Sequence, residues 1–182
     1  MALARCGRHD DGVAADLLWD DVRELFDPDL MGSLPDVCVP RTSVEDWQDL
    51  LDLVVASGWR FEYSEGETVL PLPTAAAVLA RAPGSQCPAL RVWPYSDMLM
   101  IFRFFAAEEI DFDIDLREIQ GQERLDQLCA FLRSVGRHLG KPVLMGGEGG
   151  NPAKHPVLGF AIETGRVAVV DLRAESTRAR RP

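Results

Sequence analysis

Three aspartates at alternate positions have a spacing that could hold a divalent metal ion. Asp111, Asp113 and Asp115 alternate with apolar residues over positions 110–116. A period of two predicts a strand, which places the three carboxylates on one face about 6–7 Å apart. Carboxylate oxygens suit magnesium, so one hypothesis is a metal-dependent hydrolase or transferase. The alternative, which we prefer, is the wet face of a half-buried strand or a charged edge that discourages sheet-to-sheet pairing.

Carboxylates also recur at spacings of three and four near the start of the chain. They fall on two predicted helices, over residues 13–26 and 42–58, and such spacings place them on one face of each helix. Neither face has the interleaved lysines that a solvated helix usually carries. The pattern is typical of two solvated faces, or of a surface that steers a basic protein toward a tryptophan anchor. The candidate partner-binding residues are Asp16, Trp19, Asp20, Glu24, Asp27, Glu45, Asp49 and Asp52.

The excess negative charge of the chain is regional. The net charge is −10. Residues 10–52 contain thirteen acidic and two basic residues, a charge of −11, whereas the remainder has 17 basic and 16 acidic residues, a charge of +1. Because contact with phosphates needs a basic face, a nucleic-acid partner is not expected. A basic protein is the partner that this distribution favours.

The sequence contains no recognisable catalytic or cofactor motif. Zinc-protease and nucleophile-elbow patterns do not occur. The glycine-rich stretch 146–152 follows a predicted strand but lacks the helix and the lysine of a phosphate loop. The cysteines Cys6, Cys38, Cys87 and Cys129 are far apart, so we expect free thiols, with Cys38 and Cys129 in the core. We therefore expect a non-enzymatic protein without a cofactor.

The predicted helices are defined by their apolar stripes and their ends. The residue before Pro28 is disfavoured in a helix, so the first helix ends at Phe26, before Asp27 and Pro28. Thr42 and Glu45 have the spacing of a capping box at the start of the second helix. A third helix is predicted over residues 123–139, where apolar residues recur at helical spacing and a glycine follows.

Alternation and turn residues predict an antiparallel arrangement of strands. Strands over residues 90–93, 98–105 and 110–116 are close enough in sequence to form a meander. A hairpin is predicted between residues 157–162 and 167–171. The result is a single α+β domain with a mixed or mainly antiparallel sheet, packed against two long helices and carrying an acidic N-terminal helical region.

Domain boundaries and location follow from composition. We expect a flexible arm over residues 1–11, the domain over 12–172 with a candidate soft joint at 83–88, and a disordered basic tail over 173–182. No apolar run reaches the ~18 residues of a membrane span. The first residues lack the apolar core of a signal peptide. A cytoplasmic protein without membrane contact is therefore predicted.

The charge pattern gives the functional hypothesis. We expect a non-enzymatic cytoplasmic protein that docks a basic partner through its acidic surface. Its most concrete form is an inhibitor of the immunity or antitoxin type, acting on a basic toxin such as a nuclease. The alternatives are the metal-dependent enzyme that uses Asp111, Asp113 and Asp115, and an adaptor subunit of a larger assembly.

Overall fold

The structure is a computed structural model that describes residues 15–82 and 87–170. The predicted flexible arm over residues 1–11 and the predicted basic tail over 173–182 lie outside the described residues. Residues 83–86 of the predicted soft joint over 83–88 also lie outside them.

The sheet is built from nine strands, and every neighbouring pair in it is antiparallel. The order across the sheet is β3-β2-β4-β5-β6-β1-β7-β8-β9. The predicted meander is confirmed as β4, β5 and β6, and the predicted hairpin as β8 and β9. The strands of the described residues are β1 (Asp36–Pro40), β2 (Arg60–Glu65), β3 (Thr68–Leu70), β4 (Ala89–Tyr95), β5 (Met98–Arg103), β6 (Glu109–Ile114), β7 (Val143–Met145), β8 (Leu158–Ala161) and β9 (Arg166–Val169).

The helices are of unequal length, and the longest is the predicted third helix. It begins one residue earlier than predicted and ends in a left-handed cap at Gly140, whose φ is 61°. Left-handed backbone favours glycine because it has no Cβ. The α-helices of the described residues are α1 (Trp19–Val22), α2 (Pro28–Met31), α3 (Val44–Ala56), α4 (Ala75–Leu79) and α5 (Gln122–Leu139), with 3-10 helices at Arg23–Phe26 and Leu116–Glu118.

Aromatic side chains join α3 and α5 to one face of the sheet. On α5, the Phe131 ring lies 5.9 Å from the Phe112 ring and 6.5 Å from the Phe102 ring, measured between centroids. On α3, the Trp47 indole stacks on Phe104 at 4.6 Å. All five rings are buried in one hydrophobic core. The alternation predicted for β6 is therefore confirmed, because its apolar residues point toward this core.

The opposite face of the sheet carries the polar residues of the central strands. In the strand register, Asp111 lies opposite Cys38 of β1 and Arg103 of β5, and Asp113 lies opposite Asp36 of β1. We call this side the second face. Cys38 is fully buried there, which confirms the predicted burial of this cysteine. Cys129 is buried on α5, as predicted, and Cys6 lies outside the described residues.

The predicted acidic helix over residues 13–26 is wrong in the part that the structure describes. Residues 15–18 are not helical, and a single α-helical turn, α1, is followed by a 3-10 helix. The cause is tertiary: distant arginines bind Asp16, and the backbone N–H of Trp19 donates to the side-chain oxygen of Gln122 at 2.8 Å. These contacts hold residues 15–18 in a non-helical course before α1 and outweigh local helix propensity.

The capping box of α3 is displaced by one residue from its predicted position. Ser43 is the N-cap, accepting from the Asp46 N–H at 3.3 Å, and Asp46 accepts in return from the Ser43 N–H at 2.8 Å. Thr42 instead donates its hydroxyl to the Ala107 carbonyl at 2.8 Å. The Thr42 hydroxyl is therefore bonded to the β5–β6 connection, and the next residue with a hydroxyl group, Ser43, is the N-cap of α3.

Candidate partner-binding site

A cleft forms around Trp19 at the start of the described chain. Its volume is about 300 Å³ and its lining joins α1, the following 3-10 helix and Gln120. The indole of Trp19 packs on Phe26 with centroids 5.8 Å apart, so one wall is aromatic. The carboxylates of Glu24 and Asp27 line the same space. We call this cavity the Trp19 cleft; its lining residues are Trp19, Arg23, Glu24, Phe26, Asp27, Pro28 and Gln120.

The Trp19 cleft is held in place by two glutamines: Gln120, which precedes α5, and Gln122, which begins it. The side-chain amide of Gln122 accepts from the backbone N–H of Trp19 at 2.8 Å and donates to the Leu17 carbonyl at 3.0 Å. The Gln120 amide donates to the Phe26 carbonyl at 3.1 Å. These bonds satisfy backbone groups that short helices leave unpaired. These bonds fix the cleft to α5, the longest helix, although α1 and the 3-10 helix that line the cleft are only four residues long.

Exposed apolar and acidic residues lie close in sequence to the residues that line the Trp19 cleft. Leu18 is 59% exposed and Leu30 is 67% exposed. Asp20 and Glu24 are also exposed, as the sequence predicted for a partner-binding surface. Asp27 is half-buried and caps α2, because its carboxylate accepts from the Asp29 N–H at 2.9 Å. Exposed apolar groups beside a fixed aromatic wall and polar neighbours are typical of a protein-binding site.

Asp16 does not belong to this surface, so its predicted role in partner binding is corrected. Its side chain is only 2% exposed and forms ion pairs with Arg133 of α5 and, at 3.1 Å, with Arg166 of β9. It also accepts from the Val167 N–H at 3.2 Å. Asp16 therefore fixes the start of the described chain to α5 and to the edge of the sheet.

The remaining predicted acids, Glu45, Asp49 and Asp52, are exposed on α3. They form a separate acidic row, because α3 contacts the far end of α5: His138 lies 3.1 Å from the Asp49 carbonyl. The Trp19 cleft is attached to Gln122, sixteen residues earlier on that helix. At about 1.5 Å per residue, the two places lie about 24 Å apart along the helix axis. The predicted acidic surface is thus divided between the two ends of α5.

An aromatic wall with carboxylates beside it suits a cationic side chain. A guanidinium or ammonium group is attracted to the face of an indole, and a carboxylate forms shorter, stronger hydrogen bonds with such a cation than with a neutral donor. Trp19 and Glu24 offer both in the Trp19 cleft. The arrangement can therefore bind an arginine or lysine, and it provides no nucleophile beside a base.

Asp111, Asp113 and Asp115, the alternative candidates for a metal site, each interact with another side chain. Asp113 pairs with Arg103 at 3.2 Å, and Asp115 binds Arg117 and caps the 3-10 helix that follows β6. Asp111 lies beside the Glu109 carboxyl group. Across residues 15–82 and 87–170, no group of three histidine, cysteine, aspartate or glutamate side chains is arranged to hold a metal ion.

The second face gathers more carboxyl groups than the sequence suggested. Burial, followed by the charge of Glu109, raises the pKa of Asp111 to about 7. Burial also raises the pKa of Asp113, although Arg103 opposes this shift, and the charges of Asp36 and Glu148 add to it. A carboxyl group at position 111 therefore keeps a proton at mildly acid pH. This differs from the fully wet strand face that the alternation of residues 110–116 predicts.

Sequence reasoning missed Asp36 and Glu148 as neighbours of these aspartates. Asp36 lies opposite Asp113 in the sheet, and one of its carboxylate oxygens is buried without a hydrogen-bond partner among the described residues. Glu148, in the glycine-rich connection, accepts from the Leu34 N–H at 3.1 Å. Strand register brings positions 36 and 113 together, and the glycine-rich connection carries Glu148 to them; no local pattern in the sequence reports either.

Comparison with known proteins gives no relative. Neither a protein family, nor a curated protein, nor a solved structure matches this chain. Among the helices of the described residues, none is long and apolar enough to span a lipid bilayer.

Proposed function

We propose that this protein is a non-enzymatic binding protein that docks a basic protein partner at the Trp19 cleft. An arginine or lysine of the partner lies against the Trp19 indole and pairs with the Glu24 carboxylate. The single observation that carries the proposal is the joining of an aromatic wall and acidic side chains in one cavity of about 300 Å³.

The surroundings of the cleft support a protein partner. The exposed leucines Leu18 and Leu30 provide apolar area that a partner would remove from water. Asp20 and Asp21 add negative charge on α1, next to the cleft. Rim charges of one sign increase the association rate of an oppositely charged partner, and salt weakens this effect.

The acidic row on α3 has a steering role in this proposal. It lies about 24 Å from the cleft along α5, beyond the reach of a side chain docked there. At low ionic strength the Debye length approaches that distance, whereas at physiological salt it is about 8 Å. Glu45, Asp49 and Asp52 would therefore accelerate encounter in dilute buffer and contribute little to the docked complex.

The most concrete form of the proposal is an inhibitor of the immunity or antitoxin type. Such a protein works in the cytoplasm, where it covers a basic toxin such as a nuclease before the toxin acts. Acidic complementarity and a rigid scaffold are what this task needs. The scaffold here is a nine-stranded sheet with its helices fixed to it by buried aromatic contacts.

The test is capture of the partner with two charge variants that change the net charge equally. The wild-type protein is immobilised, and bound proteins from the native host are identified by mass and quantified. The double variant Asp20→Lys and Glu24→Lys changes the cleft region. The control, Glu67→Lys and Glu163→Lys, changes two exposed acids in the β2–β3 and β8–β9 turns.

We expect a basic protein that the wild type and the control retain. The cleft variant should lose at least about tenfold in affinity, the usual scale for reversing charges at an interface. Binding should also weaken as salt is raised from about 50 to about 300 mM. A captured protein that is acidic, or that binds both variants equally, would overturn the proposal.

The alternative functions predict different results. An adaptor subunit would copurify with its assembly at fixed stoichiometry and would show no inhibition of a toxin. The metal-dependent alternative remains a prediction from the sequence. Calorimetric titration with magnesium and manganese tests it. Support for a metal site requires binding heat in the wild type that is lost in Asp111→Asn.

A further inference from the structure

A second cavity of about 300 Å³ opens where β2 and β4 meet the end of α3. Two tryptophans and a tyrosine contribute to its walls, and Arg60 and Ser96 contribute polar groups. The volume is at the lower end of the range for small-molecule sites, about 300–1,000 Å³. We call this cavity the Trp93 pocket; its lining residues are Gly58, Trp59, Arg60, Trp93, Pro94, Tyr95 and Ser96.

Arg60 gives the Trp93 pocket a positive charge that the described protein does not neutralise. Its guanidinium lies 3.9 Å from the centre of the Trp93 ring, on the neighbouring strand. Among the described residues, Arg60 forms no ion pair. A guanidinium that stacks on an aromatic face keeps its N–H donors free at the edge of its plane.

The acids nearest to the Trp93 pocket in sequence have their own partners. Glu62, two residues from Arg60, pairs with Arg91 at 3.7 Å. Asp97, next to Ser96, pairs with Arg124 at 2.8 Å. The positive charge of Arg60 in the Trp93 pocket is therefore not balanced by these acids, although the net charge of the chain is −10.

The walls of the Trp93 pocket are fixed by the fold. Trp59 packs its ring on Phe131 of the core, with centroids 5.2 Å apart. The pairing of β4 with β5 shifts register between Val92 and Tyr95, and such a bulge redirects side chains and often accompanies a binding site. Burial raises the pKa of Tyr95, so its phenol stays protonated and can donate a hydrogen bond at neutral pH.

From this geometry we infer that the Trp93 pocket binds a small aromatic carboxylate. The carboxylate pairs with the free edge of the Arg60 guanidinium, and the planar group lies against the Trp93 ring beside it. Arginine recognises carboxylates with two parallel hydrogen bonds, and aromatic rings prefer offset or edge contacts with one another. This inference does not depend on the proposed docking at the Trp19 cleft.

The four tryptophans of the chain allow a direct test by fluorine NMR. The full-length protein is labelled with 5-fluorotryptophan, and each signal is assigned with a single Trp→Phe variant. Trp59 and Trp93 report on the Trp93 pocket and Trp19 reports on the Trp19 cleft. Trp47 is fully buried and serves as the internal reference. The probes are 2-naphthoate, the uncharged 2-naphthamide and a hexaglutamate peptide.

We expect 2-naphthoate to shift the Trp59 and Trp93 signals and to leave those of Trp19 and Trp47 in place. A ligand of this size should have a Kd of about 1 mM or lower. The amide should bind at least about tenfold more weakly, because it lacks the charge. Arg60→Gln should weaken naphthoate to the same extent, whereas Arg137→Gln, at an exposed arginine of α5, should not.

Three results would overturn the inference. The first is that 2-naphthoate leaves the Trp59 and Trp93 signals unchanged up to about 10 mM, which exceeds the expected Kd about tenfold. The second is equal binding of the acid and the amide, because Arg60 would then have no part. The third is binding of hexaglutamate but not of naphthoate, which would assign the surface to an acidic protein segment.

Discussion

The ion pairs of Asp16 should stabilise the whole fold, and the isosteric change Asp16→Asn tests this. The Asp16 carboxylate, 2% exposed, accepts from Arg133, from Arg166 at 3.1 Å and from the Val167 N–H at 3.2 Å. An asparagine has the same shape but no charge, and only one of its two polar atoms can accept. The change therefore removes the charge-assisted contacts and leaves two arginines facing an amide.

The size of the effect follows from the exposure of each partner. Arg133 is 21% exposed, so its lost charged hydrogen bond should cost about 1.5–3 kcal/mol. Arg166 is 53% exposed, where ion pairs contribute about 0–1 kcal/mol because water replaces the partner. We expect Asp16→Asn to lower the free energy of unfolding by about 2–3 kcal/mol, and Asp16→Ala by about 3–5 kcal/mol.

Urea denaturation followed by tryptophan fluorescence measures this loss. With an m-value of about 2 kcal/mol/M, Asp16→Asn should lower the midpoint by about 1–1.5 M at constant slope. Asp20→Asn is the matched control, because Asp20 is exposed on α1 and its change should stay within about 0.5 kcal/mol. Asp16→Asn would refute the reasoning if it unfolded at the same urea concentration as this control.

Two further predictions concern the core and the second face. Gly136→Ala should destabilise the protein by about 1–2 kcal/mol in urea denaturation, because the new Cβ collides with the Phe160 ring and this overpacking outweighs the gain of about 1 kcal/mol in helix propensity. The control is Ser134→Ala, which changes an exposed residue of the same helix and should be nearly neutral. Equal stability of the two variants would contradict the prediction. Asp111 has a pKa raised from 3.8 to about 7, so the folded state holds a proton that the unfolded chain releases, and the stability contributed by this group falls as pH rises from about 4 through 7. Asp111→Asn should therefore be more stable than the wild type at pH 8, with a smaller difference at pH 5, and a difference that is independent of pH would show that the pKa is not raised.

The elements that sequence predicted well are those whose signal is local. The apolar stripe of α5 and its terminal glycine lie within one stretch of chain, and the structure has that helix at Gln122–Leu139. The alternation over residues 110–116 is also local, and it fixed which side chains of β6 face the core. Periodicity of 3.6 or 2 is sufficient for such elements, because burial of one face is their main source of stability.

The exposure of the candidate site residues was predicted in part, and the error at Asp16 has a tertiary cause. Trp19, Asp20 and Glu24 were correctly expected to be accessible, since each is at least partly exposed. Asp16 was grouped with them because its spacing fits a helix, but that helix does not form in residues 15–18. The partners that redirect Asp16 are 117 and 150 residues away in the chain. No pattern within residues 13–26 contains that information.

The sequence by itself determined the antiparallel meander, the long third helix and the acidic character of the first third of the chain, because these depend on composition and on short-range periodicity. Tertiary structure alone decided that the acids divide between the two ends of α5, that Asp36 and Glu148 join Asp111 and Asp113, and that Arg60 stacks on Trp93 without an ion pair in the described protein. Each of these depends on strand register or on contacts between distant segments. Register follows from the packing of the whole sheet against its helices, which no single stretch of sequence encodes.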